Sequence, residues 1–190
     1  MTAKERKKRY IIDKAIQCLA EKPRSTLIDI AEKASIGIAT LHRYFESRDK
    51  LILEIAYNAL EIVSKSICSL NMKNLCVKDY FMKLSQSLIP LGDKIYFLNK
   101  EDYLEDDKKF LQEEEKIWSM IIADIKKYQK LNELRSDIKP EFIFNIYYTL
   151  LFSIWEEVNA GNIAKNEAAD VLVKILLNGI EKNKKEKKNE

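Results

Sequence analysis

Four glycines and three prolines in 190 residues leave this chain with little that can make sharp turns or open loops. That is about 4% of the residues, against roughly 12% in average usage, so long helices joined by short connections are the natural outcome. Four glycines cannot supply a phosphate-binding loop and also close helices. No stretch reads G-x-x-x-x-G-K or G-x-G-x-x-G, which excludes nucleotide-binding enzymes of those kinds. The length suits one large domain or a small one joined to a larger one. With 46% hydrophobic and 33% charged residues, the chain can build a core and stay in solution. No apolar run approaches the ~20 residues that span a bilayer, and the first residues carry no signal-peptide pattern, so a cytoplasmic location is expected. Cys18, Cys68 and Cys76 are odd in number and form no C-x-x-C pair, so they read as small buried hydrophobes, with no disulfide framework and no metal site.

Charge is distributed unevenly. Residues 1–50 hold twelve Lys/Arg against seven Asp/Glu, net +5, and residues 51–190 hold 21 against 23, net −2. Lys4, Arg6, Lys7, Lys8 and Arg9 cluster ahead of the first apolar helix, where a basic arm could lie along a phosphate backbone. A second cluster, Lys182 to Lys188, is diluted by glutamates and reads as a solvated helix end.

Apolar spacing predicts a helix over 5–20, ended by Pro23. Thr26 is placed to cap a short helix carrying Leu27, Ile30, Ala31 and Ala34, with Asp29 in its acidic first turn. Ser35-Ile36-Gly37 breaks the pattern, which resumes for two turns from Ala39 to Phe45. Ser47 then caps a long helix bearing Leu51, Ile55, Leu60, Val63 and Ile67. Further helical stretches follow near 77–91, 93–98, 104–132, 140–159 and 166–183, and none alternates as a strand would. Pro140 suits a first turn and Gly161-Asn162 an ending. The last two helices are apolar over more than the ~100° that one packed face needs, so a second buried face is implied.

Two short helices separated by three or four residues, the second rich in polar side chains, match the helix-turn-helix arrangement, in which one helix braces and the next enters a groove. Ala31 falls where the first helix must let the second approach, and Ile36 and Leu41 fall where the two share a core. The run from Thr26 to Leu51, TLIDIAEKASIGIATLHRYFESRDKL, resembles the DNA-binding signature of TetR-type transcriptional regulators. The resemblance is specific over about 50 residues; the remaining 140 are similar to that family in length and helix layout.

The resemblance implies an all-α fold, with a helix-turn-helix domain over 1–46 and a ligand-binding and dimerisation domain over 47–190. It makes Gly37, Ile38, Thr40, His42 and Arg43 groove-facing and gives phosphates to Thr26, Tyr44, Arg48 and Lys50. Within that set, Arg43 suits a bidentate contact to guanine and Thr40 or Ile38 a thymine methyl. Three positions depart from the family pattern. Ser35 stands where a turn glycine is usual and would be strained if left-handed. His42 replaces a tyrosine that touches phosphate, and Arg48 replaces a lysine. By analogy, helices 140–159 and 166–183 pair with their copies about a two-fold axis through Tyr147, Leu151, Ile154, Val171, Leu172, Ile175 and Leu176. The expected partners are therefore a near-palindromic double-stranded DNA operator, a second copy of the chain and a small effector.

Aromatic residues give the larger domain material for an apolar pocket: Tyr80, Phe81, Tyr96, Phe97, Tyr103, Phe110, Trp118, Tyr147, Tyr148, Phe152 and Trp155. A small apolar or aromatic effector held there would move the fourth helix and release the operator. Catalysis is not expected. Glu113-Glu114-Glu115 and Asp106-Asp107 are adjacent on helices, point about 100° apart and read as solvated faces. His42 is the only histidine, which removes di-iron Glu-x-x-His pairs and Ser/His or Cys/His sets, and no cofactor is implied. The alternative class is an all-helical protein-interaction adaptor, which accounts for the apolar final helices but not for the capped, basic front end.

Overall fold

Thr2 and Glu5 start the first helix as a reciprocal pair: the Thr2 hydroxyl accepts the Glu5 N–H at 3.2 Å, and the Glu5 carboxylate accepts the Thr2 N–H at 2.7 Å. In the computed structural model α1 (Ala3–Glu21) therefore includes the basic cluster of residues 4–9, expected as an arm ahead of the helix. The structure describes residues 2–100 and 107–180, except the side chains of residues 99 and 100. Tyr103, Asp106 and the cluster from Lys182 to Lys188 lie outside the described residues.

Two short helices follow, α2 (Leu27–Lys33) and α3 (Ile38–Tyr44), and then α4 (Arg48–Cys68), whose first turn is capped by the Ser47 hydroxyl accepting the Lys50 N–H at 3.2 Å. Helix α5 (Val77–Leu88) runs into a 3-10 turn at Ile89–Leu91, where Pro90 sits, and into α6 (Gly92–Lys100). The remaining helices are α7 (Lys108–Lys130), α8 (Pro140–Asn159) and α9 (Ala168–Ile180). Pro140 occupies the first turn of α8, and Gly161, at φ +79°, follows its end in the left-handed region that glycine enters without strain. Among the described residues there is no strand, and no helix is long and apolar enough to cross a membrane.

Contacts divide the chain into two units: Met1–Ser64 with Asp93–Leu111, and Lys65–Gly92 with Gln112–Glu190. In the first, α1 packs on α2 and α2 on α3. Ile11, Ala15 and Ile16 of α1, Ile30 and Ala31 of α2, Leu41 of α3, Phe45, and Leu51, Ile52 and Ile55 of α4 are all buried. In the second, α5 and α8 both pack on α9. Tyr80, Phe81 and Leu84 of α5, Tyr147 and Leu151 of α8, and Leu172 and Leu176 of α9 supply its core. In this second unit the Tyr147 and Ser85 hydroxyls lie 3.4 Å apart, Tyr128 donates to the Leu75 carbonyl at 3.0 Å, and Glu133 accepts the Val77 N–H at 2.9 Å. Of the cysteines expected to be buried, Cys18 is, whereas Cys68 and Cys76 are exposed. Gly92 has a steric reason to be glycine, because a Cβ there would lie 1.8 Å from Trp155 Cδ1.

This packing corrects the expected self-association face. Tyr147, Leu151, Ile154, Leu172 and Leu176 are buried within their own chain and cannot meet a second copy. The second face demanded by the sequence is filled in part by α5, which packs on α9. Of the expected set, Val171 is half-buried and Ile175 is 51% exposed; Phe142 on α8, at 57%, joins them on the outside.

Candidate nucleic-acid interface

Helix α2 is only seven residues long, and its first turn is held by Thr26 and Asp29. The Asp29 carboxylate accepts both the Thr26 N–H and the Thr26 hydroxyl at 2.6 Å, and the Thr26 oxygen accepts the Asp29 N–H at 3.2 Å. These hydrogen bonds, assisted by Lys22 at 3.2 Å, hold the Asp29 carboxyl down at about 2. Thr26 therefore gives its hydroxyl proton to Asp29, so the phosphate contact expected of it must compete with the cap.

The turn between the helices is left-handed at Ser35, φ +51°, as a residue standing in for glycine requires. The Ser35 N–H reaches the Glu32 carbonyl and the Ile36 N–H the Ala31 carbonyl, each at 2.9 Å, which ends α2 and brings up α3. Gly37 caps α3 at φ −70° with no side-chain hydrogen bond, and a Cβ there would meet nothing within 4 Å. Glycine at 37 thus answers to no close neighbour among the described residues.

Helix α3 is anchored by Leu41 and by Phe45 just beyond it, both buried. Opposite those anchors Gly37, Ile38, His42 and Arg43 are exposed and Thr40 is half-buried. Tyr44 is half-buried with its ring 6.4 Å from that of Phe45; Arg48 is half-buried and Lys50 exposed at the start of α4. Thr26, Ile38, His42 and Arg48 line one open groove of about 560 Å³ together with Arg24, Ser25, Leu27 and Ile28. Gly37, Thr40, Arg43, Tyr44 and Lys50 do not line it. Arg24 and Ile28 were missed in the sequence. Their signals were a cation two residues before a cap and an isoleucine off the Ile30–Ala31 core face; it is 61% exposed.

The cations divide into two groups. Lys8 pairs with Glu54 and stands 5.5 Å over the Phe45 ring, Lys22 pairs with Asp29, and Lys33 with Glu21 at 2.6 Å. Arg24, Arg43, Arg48 and Lys50 form no ion pair among the described residues, leaving their charge to face outward around α3.

The expected effector residues separate. Tyr80 and Phe81 are core, their rings at 5.3 Å from each other, with Tyr128 5.3 Å from Tyr80 and Tyr147 5.4 Å from Phe81. Phe110 is also core, edge-on to Tyr57 at 5.7 Å, and Phe97 is buried. These rings are packed against neighbours and form core. Tyr96 on α6 is half-buried. Trp118, Tyr148 and Phe152 do come together: Trp118 lies 5.2 Å from Tyr148, and Tyr148 lies 5.5 Å from Phe152 and 5.7 Å from Phe144. Trp155 is half-buried over Gly92. The three consecutive glutamates are not one solvated face. Glu113 and Glu115 are exposed, whereas Glu114 is half-buried, its carboxyl pushed up by burial.

Residues 11–55 match the model of the tetR family of bacterial regulatory proteins, from the middle of α1 into α4. Over 181 residues the chain is 25% identical to the HTH-type transcriptional repressor LfrR of Mycolicibacterium smegmatis, covering 94% of this chain and 92% of that one. It is 21% identical over 164 residues to the HTH-type transcriptional regulator NfxB of Pseudomonas aeruginosa, covering 85% and 87%. The crystal structure of LfrR in complex with proflavine shares the fold with a TM-score of 0.79 at 22% identity, covering 94% of this chain and 98% of that one. The helix-turn-helix region of this chain thus carries the match to the tetR family of bacterial regulatory proteins, and nearly the whole chain shares its helical fold with LfrR.

Proposed function

We propose that this DNA-binding regulator works as a homodimeric repressor of a near-palindromic operator, with its half-sites addressed by two copies of α3 about one helical turn (~34 Å) apart or somewhat more. The observation that carries the reading is α3 itself: Leu41 and Phe45 fix it from behind, while Thr40, His42 and an Arg43 with no ion pair stand on the open side. Gly37 and Ile38 let the duplex approach, and Tyr44, Arg48 and Lys50 hold phosphates. The groove that adds Arg24 supports a further backbone contact. Residues 1–46 would carry DNA recognition, and 47–190 effector binding and dimerisation.

Self-association uses the outward sides of α8 and α9, where Phe142, Val171 and Ile175 stand, in place of the buried residues first expected there. A small aromatic effector settles on the half-buried rings of Trp118, Tyr148, Phe152 and Trp155 and lowers operator affinity through α4, which contributes residues to both units. The proflavine held by LfrR supports an aromatic effector in a protein of this fold. The protein acts in the cytoplasm by binding, without catalysis or cofactor.

Selection of genomic fragments on the purified protein, followed by footprinting, tests the reading. Two protected half-sites related by a dyad are expected. Failure to prefer any fragment over random DNA would favour the adaptor alternative.

A further inference from the structure

An arginine at the first residue of a helix stands against the helix dipole, which favours anions there. Arg48 opens α4 in that position, is half-buried and forms no ion pair among the described residues. Neither the dipole nor a carboxylate of the chain accounts for its charge. Arg24, exposed just ahead of the Thr26 cap, has no ion pair among the described residues either. Both line the open groove of the first unit, and so does His42, exposed on α3 and the single histidine of the chain. The rest of the lining is Ser25, Thr26, Leu27, Ile28 and Ile38, and no carboxylate is among it. The acids nearest in the chain lie elsewhere: Asp29 is held by Thr26 and Lys22, and Glu46 and Asp49 are exposed without lining the groove. On α3 itself the neighbouring charge is Arg43, a cation outside the groove.

Two permanent cations and one imidazole around an apolar lining suit a backbone phosphate with its deoxyribose, the charges taking the oxygens and the isoleucines the sugar. Imidazole is also the side chain whose ordinary titration falls between about pH 5 and 8. Neutral, it has one N–H to give; protonated, it donates from both nitrogens and carries a positive charge. We infer that Arg24, Arg48 and His42 share one phosphate of the DNA backbone, and that His42 takes up a proton from solvent as it binds, so that DNA is held more tightly in acid. The inference rests on the DNA-binding reading above and adds to it a proton bound together with the duplex. The sign follows from linkage: a phosphate favours the charged ring, so the charged ring favours the phosphate, and affinity rises as pH falls through the imidazole range.

A backbone contact is blind to sequence, so a short duplex of random sequence is a sufficient probe. Its binding to the full chain is followed by fluorescence anisotropy at about pH 7.5 and about pH 5.5 over a series of salt concentrations. The parent should bind roughly fivefold to tenfold tighter at the lower pH, and its log–log salt slope should steepen there by about 0.9 for each bound copy, one more phosphate being neutralised. His42→Gln should lose both changes, and His42→Arg should keep the steep slope at both pH values. The difference between parent and His42→Gln cancels every other group that titrates in this range. A parent whose affinity and slope ignore pH, a His42→Gln that retains the change, or a His42→Arg with a shallow slope at the higher pH overturns the inference and leaves DNA binding standing. Binding of no duplex at either pH overturns both.

Discussion

Helices α2 and α3 have seven residues each, too few to persist by propensity, whereas α8 has twenty and α9 thirteen. The short pair is held by individual residues with fixed offices: a Thr26–Asp29 cap, a left-handed Ser35, and Leu41 with Phe45 as anchors. The long pair is held by surfaces, apolar on several sides, that find partners in α5 and in each other. Where single residues decide, chemistry on the opposite side is left free to vary, and the residues proposed to face DNA stand there. Where surfaces decide, neighbouring positions on one helix have opposite fates, as buried Leu172 and exposed Ile175 do.

The sharpest way to break that contrast lies in α9. Leu172→Ala should cost about 3 kcal/mol in denaturant unfolding, because it empties a fully buried site. Ile175→Ser should leave monomer unfolding nearly unchanged and weaken self-association in sedimentation. The reverse pattern would put Leu172 on a surface and end the distinction. In α3 the expected cost falls on binding. Arg43→Ala should reduce discrimination between operator and random DNA by about 1–3 kcal/mol at one base pair per half-site. Arg48→Ala should weaken both DNAs alike, and equal losses for both variants would show that Arg43 reads no base.

A smaller effect is expected at the α2 cap, where Thr26→Ala should lower stability by about 1 kcal/mol. Asp29 gives the same cap a pH signature. Its carboxyl is held at about 2 in the fold against an ordinary 3.8, so its contribution is complete above the ordinary value and disappears as pH falls towards the lower one. Helicity followed through acid titration should show that loss in the parent and not in Asp29→Asn. The smallest change expected is a gain: Ser35→Gly should relieve a left-handed residue and stabilise by up to about 1 kcal/mol, offset in part by greater freedom of the unfolded chain. Loss of stability there would mean that the serine hydroxyl has its own role in the turn.

The same contrast explains what could be read beforehand. Caps, breaks and the proline at 140 are local, so helix order and the Thr26 cap followed from the residues alone, while the left-handed turn at Ser35 followed from the resemblance that puts a glycine there. Leu41 and Phe45 were separable from Arg43 because a two-turn helix has only one face to bury. The faces of α8 and α9 were not legible. Tyr147, Leu151 and Leu172 carry the same apolar signal whether they meet α5 or a second copy, and no period distinguishes an inner partner from an outer one. Glu114 reads as solvated because its neighbours in sequence are, and only the fold half-buries it. Arg24 and Ile28 escaped because only the folded groove brings them to Ile38 and His42.

The division among the cations also bears on ionic strength. Residues 1–50 contain twelve Lys/Arg, but Lys8, Lys22 and Lys33 already face Glu54, Asp29 and Glu21. Counterion release from DNA registers the phosphates newly neutralised, and a lysine that must leave a carboxylate to reach one exchanges one anion for another. The logarithm of affinity should therefore fall with the logarithm of salt less steeply than the basic composition of this front end suggests.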